Sequence, residues 1–252
     1  MHEFSHACAA WLCCHTVTGI EVNLEEGGLT HWKGRNVECA KHAVLPAGYL
    51  GSALWGAGTL LACSTRVASQ TMALVLTAAC VVCLGYAICG QTSEFKHRFT
   101  MIAVSVGFGG ALCGITVACL IGDSFESCDL ILEACLIWLA VLNMAYATID
   151  IYDDTIRRSD ERSDAYQYAK IWGCCTSRCV GSVWFLISCS LFLGAIVGVM
   201  YAVHGSPDEA KWYHWLPGPL ALGFAMVYSL LTCWLPTLGG KPTEGKPLLG
   251  WD

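Results

Sequence analysis

Six apolar stretches govern what this chain can fold into. They run at about residues 44–63, 70–89, 99–122, 128–152, 180–203 and 214–235. Each reaches the roughly 17–25 residues that an α-helix needs to cross a bilayer. Only 13% of the 252 residues are charged, against about 25% in soluble domains, so much of the surface never meets water. A backbone inside hydrocarbon must satisfy its own N–H and C=O groups, which makes these segments helices. The expected fold is an all-α polytopic membrane protein of about 6–7 apolar helices, with a small β-hairpin after the first helix. One membrane-embedded domain should occupy residues 1–236. The tail from 237 to 252, rich in Gly, Pro and Lys, should be disordered.

Ahead of these stretches stands His2-Glu3-Phe4-Ser5-His6, leading an apolar run to about residue 18. On a helix, residues four apart share a face, so His2 and His6 can hold one Zn2+ ion. Glu3 can then activate a zinc-bound water for hydrolysis. Ile20-Glu21-Val22-Asn23-Leu24 alternates apolar and polar, the period of a half-buried strand. Gly27-Gly28 turns the chain, and Leu29-Thr30-His31-Trp32 returns as a second strand. This hairpin should lie at the membrane surface, because an open sheet edge cannot face lipid.

The basic residues orient the chain. If every apolar stretch crosses once, twelve of the 14 basic residues fall on one side, and only Arg66 and Lys211 on the other. The positive-inside rule then makes the hairpin, the 153–179 loop and the C-terminus cytosolic. The partner is the lipid bilayer. The net charge of -6 is confined to loops, and no basic stripe suits nucleic acid.

Zinc in a hydrolytic site needs a third protein ligand. Asp150 is the expected one, with Asp153 and Asp154 as alternates. Carboxylates at the end of an apolar helix are costly and are functional candidates for that reason. Asp153 and Asp154 stand three and four residues beyond Asp150, on the same face. The bland reading is a charged collar in which these aspartates pair with Arg157 and Arg158. A transporter using Asp150 as an ion site is a further alternative. His31, His42 and His97 read as surface residues.

Most of the 17 cysteines lie inside apolar runs and read as small buried side chains. Cys174, Cys175 and Cys179, beside Arg178 at a membrane edge, are candidates for palmitoylation. Gly110/Gly114 and Gly194/Gly198 are spaced for close helix contact, as are Gly48, Gly51, Gly56 and Gly58.

As a set, several segments resemble the intramembrane zinc metallopeptidases of the site-2 protease type, specifically the M50B-like branch. They are His2-Glu3-Phe4-Ser5-His6-Ala7, the hairpin segment from Glu26 to Thr30, and Pro46-Ala47-Gly48-Tyr49-Leu50-Gly51-Ser52. Asp150 with Asp153-Asp154, Arg157, and Ser163-Asp164-Ala165 complete the set. The resemblance implies a metallopeptidase-like domain cutting membrane-protein substrates. It implies His2 and His6 as zinc ligands, Glu3 as general base, and an aspartate from a later helix as third ligand. Such proteins usually carry an apolar helix ahead of the motif. The expectation here is that an upstream segment is missing or that activity is lost. The Asp-Gly signature of better-known members is replaced by Asp150-Ile151. A rival reading is an inactive pseudoprotease or membrane scaffold. For an active enzyme, the hairpin at 20–32 offers an edge on which an extended substrate can add as a strand.

Overall fold

The computed structural model describes residues 1–23, 27–35, 37–90, 95–121, 126–157, 161–173 and 175–204. The expected sixth apolar stretch at 214–235 and the tail at 237–252 lie outside the described residues. The element order is α1 (His2–Leu12), β1 (Thr16–Asn23), β2 (Gly27–Lys33), α2 (Val37–Ala62), α3 (Arg66–Cys89), α4 (Phe95–Ile121) and α5 (Glu126–Ile151). A π-helical turn (Tyr152–Arg157), α6 (Asp164–Trp172) and α7 (Ser177–His204) follow. Five of these helices are long and apolar enough to cross a membrane. The all-α membrane class with one small hairpin is therefore what the chain adopts.

The element edges differ from the expected ones for local reasons. α1 ends at Leu12 rather than near residue 18, because Cys14 takes a left-handed φ of 60° and turns the chain. The β-branched run Thr16-Val17-Thr18 then suits a strand, so β1 starts four residues earlier than the alternation suggested. At about 1.5 Å per residue, the 11 residues of α1 rise only about 17 Å, too short to span a bilayer. β1 and β2 pair antiparallel, with Glu21 opposite Leu29 and Val22 opposite Gly28. α2 begins at Val37, seven residues before its apolar stretch, because its first turns carry Glu38, Lys41 and His42. The 153–179 region, expected as a loop, contains the π turn and α6.

α2 is the central element and packs on α1, α5, α6 and α7. Its long contact with α5 is possible because of Gly56. A Cβ there would meet Met144 Cγ at 2.5 Å and the Ala140 carbonyl at 2.8 Å. The expected close approach at Gly110 and Gly114 is not found among the described residues, since a Cβ at either would meet nothing within 4 Å. The small residue that lets α4 approach α3 is instead Gly109, whose Cβ would meet Cys80 Cβ at 2.8 Å. A buried cluster of Ala7, Ala10, Val17, Ile20, Val44, Ala87 and Met101 joins α1, the hairpin, the first turns of α2 and α4 and the end of α3. That cluster seats the motif helix against both the sheet and α2.

Candidate metal centre

His2 and His6 lie one turn apart on α1 and turn toward α2 at Gly48. A Cβ at Gly48 would meet His2 Nε2 at 2.5 Å and His6 Nε2 closer still, so only glycine leaves room for both imidazoles. The two Nε2 atoms are 3.1 Å apart. His6 Nδ1 donates to the Val44 carbonyl at 2.7 Å, which fixes the ring and turns Nε2 inward. Metal-bound histidines characteristically use their other ring nitrogen this way. The edge of His2 meets the Tyr49 ring, with centroids 4.7 Å apart.

The third group is Asp164. Its Oδ2 stands 3.1 Å from His2 Nε2 and 3.1 Å from His6 Nε2. The chain brings it there in three steps. α5 ends in the π turn, where the Thr155 hydroxyl bonds the Ile151 carbonyl. Ser163 then caps α6, its Oγ accepting from Tyr166 N at 3.3 Å. A left-handed Gly173 closes the same helix. Asp164 is thus the first residue of a short capped helix that packs on α2 and α7.

The expected third ligand, Asp150, takes another position. It is half-buried near the end of α5, within electrostatic reach of Asp154 and His2. The alternates are engaged elsewhere. Asp153 pairs with Arg157 at 3.0 Å, as a charged collar would. Asp154 accepts from the Tyr49 hydroxyl at 3.1 Å. Asp150 and Asp154 remain within electrostatic reach of each other and of Tyr49, while Asp153 turns to Arg157. The signal for Asp164 was present in Ser163-Asp164-Ala165, a capped helix start, but nothing in the chain order placed it beside His2.

The donor set fits zinc. Two ligand atoms about 2.05 Å from a tetrahedral zinc stand about 3.3 Å apart, close to the 3.1 Å edges of this triangle. Two imidazole nitrogens and one carboxylate oxygen are also the donor types of catalytic zinc sites. Glu3 is adjacent, with a carboxylate oxygen within 4.8 Å of both histidine nitrogens. It points toward β2, where Thr30 Oγ lies 2.7 Å from its Oε2 and 2.9 Å from its backbone carbonyl.

Without metal, the cluster is an ion pair. Burial alone pushes the His6 imidazole down, but the Asp164 carboxylate beside it outweighs this and lifts it to about 9. Burial likewise opposes the charge on Asp164, and the two histidines more than offset it, holding the carboxyl well below the usual range. A buried carboxylate held between two imidazoles is poised to exchange their protons for a cation.

A Peptidase M50B-like family model matches residues 1–195. The chain belongs to that family. No curated protein and no solved structure matches it significantly. The match covers α1, the hairpin and the bundle as far as the first two-thirds of α7, so it includes every residue of the centre. Family membership and the five apolar helices together make this M50B-like chain an integral membrane protein of a peptidase family.

Proposed function

We propose that this M50B-like protein is a zinc-dependent intramembrane endopeptidase that hydrolyses peptide bonds of membrane-protein substrates. His2, His6 and Asp164 hold the metal, and Glu3 is the general base. The observation that carries this reading is the 3.1 Å triangle of His2 Nε2, His6 Nε2 and Asp164 Oδ2, with Glu3 beside it. Asp150 stays outside the ligand set and contributes negative charge near His2.

Zinc bound in this triangle would polarise a peptide carbonyl and bring a water's acidity close to neutral pH. The residues of the chain do the rest. Glu3 takes a proton from the attacking water and returns it to the leaving amine. Val44 and Tyr49 hold the imidazoles in place, and Gly48 gives them room. The basic-residue asymmetry supports a cytosolic hairpin and 153–179 region, with the chemistry near that surface. Substrate helices must unwind first, because a helix hides its carbonyls. An extended segment can then add to the edge of the hairpin.

Purified full-length protein in detergent tests the proposal. Stoichiometric zinc should be found and should be lost in His6→Ala. Fluorescein-labelled casein is a suitable probe because it is unstructured and needs no unwinding. Its cleavage should disappear in Glu3→Gln while zinc stays bound. Cleavage that persists in Glu3→Gln would refute the mechanism, and wild-type protein that binds no zinc would refute the reading as a whole.

A further inference from the structure

Thr30 lies on β2 yet is only 3% exposed. Its buried hydroxyl has two acceptors in reach, Glu3 Oε2 at 2.7 Å and the Glu3 carbonyl at 2.9 Å. A hydroxyl carries one proton, so it donates to one of these at a time, and both belong to residue 3. Thr30 therefore ties the sheet to the first turn of α1.

Gly28 stands two residues away on the same face of β2, because strand side chains alternate. A Cβ there would meet Glu3 Cδ at 2.6 Å and Oε1 at 2.5 Å. The strand thus offers bare backbone at residue 28 and a hydroxyl at residue 30, and the Glu3 carboxylate lies across both. Glutamate has three rotatable side-chain bonds. Unheld, the carboxylate would sample several rotamers away from the histidine pair.

The geometry points to β2 as the element that positions the general base: Thr30 pins one carboxylate oxygen of Glu3, and the missing side chain of Gly28 makes the space, leaving the second oxygen for the proton. This deepens the hydrolase reading above and rests on it. Thr30 and Gly28 are positioning residues, acting through Glu3. The hairpin then has a role that substrate docking does not require: it completes the geometry of α1.

Three variants of the full chain in detergent test this, with zinc content and casein cleavage as readouts. Thr30→Val keeps shape but removes the hydroxyl. It should retain stoichiometric zinc and lose about 10–100-fold in kcat with KM unchanged, the scale of a misplacement near 1 Å. Thr30→Ser should restore most of the rate. Gly28→Ala should reproduce the loss with zinc retained, because the atoms its Cβ meets all belong to the rotatable side chain of Glu3, from Cγ outward. A second readout needs no activity. In zinc-free protein, Thr30→Val should lower the Tm by a few degrees, and this loss should shrink in a Glu3→Ala background, where only the backbone carbonyl of residue 3 remains to accept. An unchanged kcat in Thr30→Val, or an equal Tm loss in both backgrounds, would overturn the assignment. Wild-type protein that cleaves nothing would sink the hydrolase reading, while the Tm comparison would still decide whether Thr30 holds Glu3.

Discussion

Replacing Asp164 by asparagine tests the ligand set most directly. The side chain keeps its shape and its place at the start of α6, but the charge between the two imidazoles disappears. Zinc sites with four protein ligands bind with about 10–16 kcal/mol at neutral pH, or about 3–4 kcal/mol per ligand. Losing one charged ligand should therefore weaken zinc binding by roughly 100- to 1,000-fold, at about 1.4 kcal/mol per decade. The matched control is Asp150→Asn. Asp150 is half-buried and influences His2 through charge alone, so its variant should stay within about threefold of wild type. Competition against a chromophoric zinc chelator measures both affinities. Thermal unfolding gives a second reading. Free zinc at 100 times the wild-type Kd stabilises the folded protein by about 2.7 kcal/mol. The same concentration at a site 100-fold weaker adds only about 0.4 kcal/mol. The zinc-induced rise in Tm should thus nearly vanish in Asp164→Asn and persist in Asp150→Asn. The opposite pattern would refute the assignment of Asp164 and restore Asp150 as the third ligand.

Other consequences are as specific. Zinc-free protein should be most stable between about pH 4 and 6.5. His6, raised to about 9 chiefly by the Asp164 charge against the opposing effect of burial, contributes stability below its unfolded value near 6.5 and loses it as pH rises toward 9. Asp164, held low by the histidines, contributes above its unfolded value near 3.9 and loses it as pH falls further. Tm measured across pH in the presence of a chelator checks both limbs, and a metal-free Tm that climbs from pH 6.5 to 9 would contradict the pairing. Ser163→Ala removes the cap that seats Asp164. It should cost about 1 kcal/mol of α6 stability and weaken zinc binding up to about fivefold, measured by the same chelator competition. Gly56→Ala drives a Cβ into the Ala140 carbonyl and Met144, which should destabilise the α2–α5 contact by about 1–3 kcal/mol without altering zinc stoichiometry. The Thr148–Ser188 hydroxyl pair joins α5 to α7 at 2.7 Å, and Ser188→Ala should cost only about 0.6 kcal/mol. Detergent unfolding curves measure both.

Much of this protein is legible in one dimension. Apolar segments long enough to cross a bilayer leave the backbone no alternative to helix, so the class and the approximate spans follow from composition and length. The two histidines and Glu3 are equally legible, because a helix puts residues four apart on one face whatever surrounds it. Gly27-Gly28 between alternating runs signals a hairpin for a similarly local reason, but the turn itself is not at these glycines: both pair within β2, opposite Asn23 and Val22. The third carboxylate is different. Depth alone favours Asp150, which stands at the end of an apolar helix where charge is costly. Past Asp150, within the π turn at Tyr152–Arg157, Asp153 pairs with Arg157 and Asp154 accepts from the Tyr49 hydroxyl. The chain then returns through Ser163 to set Asp164 between the imidazoles. Likewise, nothing in Gly28 or Thr30 announces that they border Glu3, because the contact spans 27 residues and depends on how α1 packs against the sheet. Local periodicity determines which atoms are available for chemistry. Which of them meet is a matter of long-range packing between elements far apart in the chain.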